Sequence, residues 1–212
     1  MRLGRTGRPA PPSTRSASVP TPAAPHPGPT IRATTATCSA HGDARNVVDA
    51  YRCWSMDAIV ADLDSRRHAF DVAIENWQHD LNIGSIVRTA NAFLAGTVHI
   101  VGRRRWNKRG AMVTDRYQHV MHHDTIADLV AWAGDRPIVA VDNVEGSVDV
   151  TAYDFPRDAV LLFGQEGPGL SAAALDAADA TVSIRQYGST RSINAAAAAA
   201  IVMHAWVAQH AQ

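Results

Sequence analysis

Three stretches of the chain combine polar residues and glycines in patterns suited to holding a small polar ligand. The first is Asn82-Ile83-Gly84-Ser85-Ile86-Val87-Arg88-Thr89-Ala90. Asn82 stands where a helix cap belongs, and Gly84 and Arg88, four residues apart, share one face of the helix that follows. Glycine early in a helix is destabilising relative to alanine, so its presence implies close approach by another backbone or a ligand, with Arg88 pointing across the cleared space. The plainer alternative is a surface arginine whose stem lies on the core. The second stretch is Leu161-Leu162-Phe163-Gly164-Gln165-Glu166-Gly167-Pro168-Gly169-Leu170-Ser171, a buried strand ending in three glycines and a proline. Such a loop is tight and leaves backbone groups open to hydrogen bonding. Ligands of parallel sheets sit at the carboxyl ends of strands. Glu166, the loop's one charge, either positions a ligand or ties down the loop's own N–H groups. The third stretch runs from Ile184 to Asn194 and into six alanines, Ala195 to Ala200. Ile184 ends an apolar segment and Gly188 to Arg191 is turn material. Ser192 or a neighbour caps an alanine-rich helix whose first N–H groups have no partner inside it.

Two further clusters invite chemistry. Arg103-Arg104-Arg105-Trp106-Asn107-Lys108-Arg109-Gly110 is a basic loop with one aromatic residue, offering cations for phosphate and an indole for stacking; its alternative is a solvated loop. His119, His122 and His123 lie between Tyr117 and Asp124 without convincing ligand geometry, so core or interface histidines are expected and no metal. Asp142 and Asn143 end a strand beside the proposed ligand site and either contribute to it or only terminate the strand. The glycine loop lacks the lysine of a Walker phosphate site. It is also not the dinucleotide fingerprint after a first strand, which argues against a nicotinamide-dependent oxidoreductase.

These residues must be positioned by regular elements. Phe70 to Asn76, Thr97 to Gly102, Pro137 to Val141, Ala159 to Phe163 and Thr181 to Ile184 read as five strands. Helices are expected after Ser55, from Ile83 to a stop at Gly96, over Thr125 to Ala133, over Ser171 to Ala178, and along the alanine segment. The alternation implies an α/β domain with a mostly parallel sheet and helices on both faces. At 212 residues with 46% hydrophobic content, one domain is expected. Residues 1–45 hold six arginines, nearly all the proline clusters and no acid before Asp43, so they read as a disordered tail ahead of a domain at 46–212. A basic arm, a transit-like peptide and a start placed too far upstream all fit that tail. Formal net charge is zero, so the whole chain is no general polyanion binder. Cys38 and Cys53 show neither metal spacing nor a disulfide framework, which fits the cytoplasm, and no apolar run suits a membrane span.

Taken together, the three stretches resemble the SpoU/TrmH family of RNA ribose 2′-O-methyltransferases, within the knotted SPOUT superfamily. The family's Asn-x-Gly-x-x-x-Arg-Thr-Ala stands whole at Asn82 to Ala90, and its Phe-Gly-x-Glu-x-x-Gly-Leu-Ser stands whole at Phe163 to Ser171. Its third motif is matched by Ile184, Ser192, Asn194 and the alanines, with Ile193 for leucine and Arg185-Gln186 in place of Pro-Met. The resemblance spans Phe70 to Trp206. It implies a deep C-terminal trefoil knot and a homodimer with its active site near the subunit interface. It implies S-adenosyl-L-methionine held by Val141, Gly164, Ile184, Ser192 and Ile193. The catalytic set it implies is Arg88, Asn82, Glu166, Ser192 and Asn194. The substrate it implies is RNA, with tRNA favoured over rRNA because compact members often modify tRNA. An arginine is a very poor base, so stabilising a developing alkoxide suits Arg88 better than removing a proton. The reading from another class is a non-catalytic RNA-binding or scaffold protein that kept the fold.

Overall fold

The structure, a computed structural model, describes residues 44–77, 82–165 and 167–211. Residues 1–43 of the expected tail, residues 78–81 before the first motif and the candidate Glu166 lie outside that set.

Among the described residues one sheet of seven strands forms: β1 (Asp71–Asn76), β2 (Thr97–Gly102), β3 (His119–His123), β4 (Ile138–Val141), β5 (Val148–Asp149), β6 (Val160–Phe163) and β7 (Ala180–Ser183). Its order is β3-β2-β1-β6-β4-β7-β5, and every neighbouring pair is parallel. The five expected strands are present within a residue or so. The two unforeseen ones, β3 and β5, are the sheet's edges. Edge strands are not buried on both faces, so His119 to His123 carries no continuous apolar run, and most of its residues are exposed.

Five α-helices complete the described fold: α1 (Met56–Asp64), α2 (Asn82–Ala92), α3 (Ile126–Ala133), α4 (Ala172–Asp176) and α5 (Ala195–His210). Serine or threonine caps the first turns of α1, α3 and α4, through Ser55, Thr125 and Ser171. Strand alternation divides the core in two. Val72, Ile74, Leu161 and Phe163 face α2 and α5, where Ile83, Ile86, Val87, Val202 and Trp206 cover them. Ala73, Val160 and Leu162 face α3 and α4, where Leu129, Leu170 and Ala174 close the other side. Each large side chain buried this way contributes about 1.5–3 kcal/mol. The stop after α2 falls at Leu94, left-handed at φ 53°, rather than at Gly96. Gly96 instead leaves room for the Asp71 carboxylate, which a Cβ would strike.

The histidines are structural. His99, fully buried, sets its Nδ1 2.9 Å from His123 Nε2 under Trp132 of α3. Asp71 lies 3.7 Å from His99 Nε2 and is itself paired with Arg136. His119 reaches Asp64, and His122 donates to the Gly102 carbonyl. Burial, reinforced by neighbouring His99, lowers the His123 pKa; Asp128 opposes and His122 adds to the shift. A group neutral in the fold and readily protonated when unfolded stabilises above about pH 6.5 and loses that contribution as pH falls below it. Stability should therefore drop between pH 7 and 5.5, and a thermal-melt series should show the drop reduced in His123→Gln.

Cys53 is disulfide-bonded, where the sequence suggested no disulfide framework. The other cysteine, Cys38, lies outside the described residues. Among the described residues no helix is long and apolar enough to cross a membrane.

Candidate functional site

The carboxyl ends of β4, β6 and β7 open into a cleft of about 190 Å³. Val141 ends β4, Phe163 ends β6, and Ile184 follows β7. The glycine loop after β6 and the segment Ser192-Ile193 before α5 close it. All five residues expected to hold a cofactor, Val141, Gly164, Ile184, Ser192 and Ile193, line this one cleft. The sequences that build it are far apart in the chain but adjacent in the sheet, because β6 and β7 flank β4.

The glycine loop is folded tightly upon itself. Gly167 and Gly169 have φ of 94° and 73°, a region L side chains rarely adopt. Gly169 N–H donates to the Gln165 carbonyl at 3.2 Å. A Cβ on Gly164 would run into the Gly169 and Leu170 backbone, with the Leu170 nitrogen 2.5 Å away. Asp142 holds the loop's far end: its Oδ2 accepts from Leu170 N–H at 3.1 Å and its Oδ1 from Asn143 N–H at 2.7 Å. Asp142 and Asn143 thus do more than end β4; both also line the cleft.

Asn194 caps α5, its Oδ1 accepting from Ala196 N–H at 2.9 Å and Ala197 N–H at 3.3 Å. Its Nδ2 donates to Asn82 Oδ1 at 2.8 Å, joining the first stretch to the third across the α2–α5 contact. Asn82, expected as a cap, instead opens the first turn of α2, and its side chain accepts from Asn194. Asn194→Ala removes both the cap and the tie. It should cost about 2 kcal/mol and lower Tm by several degrees in calorimetry.

Gly84 serves backbone approach. A Cβ there would stand 2.8 Å from Ala111 N and 2.9 Å from both Asn107 O and Gly110 N. Helix α2 therefore packs directly on the end of the basic loop. Arg88, on the same helix, is exposed and does not line the cleft. Of the catalytic set, the structure joins Asn82 to Asn194 and puts Ser192 in the cleft, while Arg88 stands apart from it within one chain.

The basic loop is fixed by Asn76, whose Nδ2 donates to the carbonyls of Arg103 at 2.6 Å and Arg105 at 2.9 Å. Arg103, Arg104, Arg105 and Arg109 are exposed. Lys108 is exposed as well, and Trp106 is half-buried. Trp106 packs partly against the main core, Lys108 Nζ lies 5.3 Å from its ring centroid, and the same ammonium pairs with Asp115 at 2.9 Å. The core draws in the indole, whereas Lys108 stays exposed beside Asp115.

Three polar residues escaped sequence reading as parts of the site. Glu75, fully buried in β1, accepts from Ser171 N–H and Oγ–H, each at 2.7 Å, and from Trp77 Nε1–H at 2.9 Å. A carboxylate directly after the apolar run Val72 to Ile74 was the signal. Gln165 and Gln186 both line the cleft, and Gln165 Oε1 and both amide atoms of Gln186 are buried without a partner. Arg185 points elsewhere, 3.5 Å from Asp149 along a second hollow.

A profile described as the SpoU rRNA Methylase family matches residues 69–204. The chain is 30% identical over 147 residues to the tRNA (guanosine(18)-2′-O)-methyltransferase of Escherichia coli (strain K12), covering 67% of this chain and 64% of that enzyme. It is 34% identical over 139 residues to the 23S rRNA (uridine(2479)-2′-O)-methyltransferase of Streptomyces viridochromogenes, covering 60% of this chain and 48% of that enzyme. The match thus spans less than two thirds of either relative. The SpoU methyltransferase AviRb from Streptomyces viridochromogenes, solved in complex with the cofactor AdoMet, superposes with a TM-score of 0.62 at 30% identity over 71% of this chain and 62% of that one. The A. aeolicus TrmH/SpoU tRNA modifying enzyme shares the fold, with a TM-score of 0.65 at 22% identity over 74% of this chain and 82% of that one. The family profile covers most of the ordered strands, helices and cleft together, and the chain belongs to the SpoU rRNA Methylase family.

Proposed function

We propose that this chain transfers a methyl group from S-adenosylmethionine to a ribose 2′-hydroxyl of RNA. In this reading the domain at 46–212 acts as a homodimer, its last strand and α5 threaded as a trefoil knot. The observation that carries the reading is the cleft where the glycine loop, the β4 end and the segment before α5 meet. Its residues suit S-adenosylmethionine: Val141, Phe163, Ile184 and Ile193 offer apolar surface to a purine, and the orphaned amides of Gln165 and Gln186 lack partners a polar ligand would supply. Val141, Gly164, Ile184, Ser192 and Ile193 would hold it. When bound, the cofactor supplies an electrophilic methyl on a sulfonium, open to in-line attack by oxygen.

The chain's own part is alignment and charge stabilisation. The Arg88 guanidinium stabilises the alkoxide developing at the ribose oxygen and pairs with an adjacent phosphate. Ser192 and Asn194 orient the ribose and cofactor, and Asn82 fixes Asn194. Because Arg88 lies off the cleft of its own chain, the reading assigns it to the cleft of the partner subunit. Glu166 belongs to the glycine loop of the same proposed site. RNA approaches over Arg103, Arg104, Arg105 and Arg109, with Trp106 and Lys108 supporting the loop. Among RNAs, tRNA is proposed, since the tRNA-modifying relative matches the larger share of this chain.

Calorimetric titration tests the cofactor part. Saturable binding of S-adenosylmethionine is expected; RNA binding without it would identify a scaffold instead. Replacing Arg103, Arg104 and Arg109 by alanine should lower the slope of log K against log salt by about 2 for RNA, at roughly 0.7 per lost contact to a single strand. An unchanged slope would show that the loop is idle.

A further inference from the structure

Among the described residues, the side chain that the cleft leaves least satisfied is Gln186. It lines the same slot as Phe163, Ile184 and Ile193, and neither its Nε2 nor its Oε1 meets water or a hydrogen-bond partner. Burying an amide with both ends unmatched is costly, and native structures rarely keep such groups without cause. Gln165 in the same wall has only its Oε1 orphaned, so it can accept a bond but shows no matched pair. Gln186 carries a neutral donor beside a neutral acceptor, both shut off from solvent, so they meet a ligand once the side chain turns into the cleft. A carboxylate or an ammonium would satisfy one end and leave the other bare. The edge of adenine, with its 6-amino donor next to a ring-nitrogen acceptor, satisfies both, as glutamine does when it reads adenine in nucleic acids. The apolar surface around it takes the faces of the same flat base.

We propose that Gln186 reads the adenine of the cofactor, Oε1 accepting from the 6-amino group and Nε2 donating to a ring nitrogen. The inference rests on S-adenosylmethionine being the ligand of this cleft. It makes cofactor selection a side-chain function at this position, where the family pattern has methionine. Arg185 beside it is not part of this reading, being turned to Asp149.

The test compares binding of S-adenosylhomocysteine with that of an analogue whose base is purine lacking the 6-amino group. Calorimetry would be run on the unaltered chain, Gln186→Met and Gln186→Leu. The unaltered chain should bind S-adenosylhomocysteine about 10-fold or more tightly than the analogue. Both variants should bind S-adenosylhomocysteine about 10- to 100-fold more weakly than the unaltered chain does, and should no longer distinguish the two ligands. Without ligand, the variants should melt at the same temperature or higher, since the lost amide has no partner to miss. Equal affinity of variants and unaltered chain overturns the inference. So does a variant that weakens both ligands by the same factor, which marks a packing effect. In either case binding by the unaltered chain leaves the functional reading standing; no binding of S-adenosylhomocysteine by the unaltered chain overturns both.

Discussion

Arg88→Ala should lower single-turnover methyl transfer by about 10²–10³-fold or more, while S-adenosylmethionine affinity and Tm stay unchanged. The separation follows from where the residue stands. Its side chain is exposed, lies outside the cleft and makes no hydrogen bond or ion pair among the described residues. Surface residues without such contacts usually alter stability by less than about 0.5 kcal/mol when replaced. In the proposed reading this exposed guanidinium, on a helix locked to the core and the basic loop, is the one that meets the RNA. Arg88→Lys should recover only part of the rate, because an ammonium keeps the charge but loses the planar fork that can bridge an alkoxide and a phosphate. Full turnover by Arg88→Ala would remove the residue from the mechanism. Loss of cofactor binding in that variant would move its role to the cleft.

Gly164→Ala should weaken S-adenosylmethionine binding by about 100-fold and lower Tm by several degrees. The added methyl meets backbone of Gly169 and Leu170, which cannot turn aside as a flexible side chain would. Relief requires opening the loop, and that strains the Gly169–Gln165 and Leu170–Asp142 hydrogen bonds that shape the cleft wall. A one-ångström displacement there misaligns the methyl donor as well as loosening it. Calorimetry on the variant reads the affinity directly; unchanged affinity would mean that the loop does not contact the cofactor. The same variant tests the subunit arrangement. If Arg88 serves the partner's cleft, mixed dimers of Arg88→Ala and Gly164→Ala chains contain one intact site and regain activity. If each chain serves its own cleft, the mixture stays inactive.

The sequence made the inner strands and the cleft legible for one reason. Residues such as Val160 to Phe163 are buried on both faces, so they read as unbroken apolar runs that stop at glycines. Gly84 was readable as a place of close approach, and the approaching group is the backbone of residues 107–111. The edge strands were hidden because His119 to Met121 are exposed and the strand carries three histidines, so no apolar run marks it. The basic loop was readable as charge but not as contact. Nothing local signals that Trp106 reaches the core, or that Asn76, 27 residues before Arg103, anchors it. Similarly, Asn194 looked like a ligand contact or a cap, and only the α2–α5 packing joins it to Asn82 over 112 residues. Gln186 appeared as a departure from a motif; its unmatched amide became visible only when the cleft closed around it.

The most direct measurement is mass spectrometry of RNA nucleosides after incubation of the protein and tRNA with S-adenosylmethionine carrying a deuterated methyl group. The label should appear on a ribose 2′-oxygen, in unaltered chain and not in Arg88→Ala. Label on a nucleobase, or no transfer to the tRNA despite cofactor binding, would contradict the account.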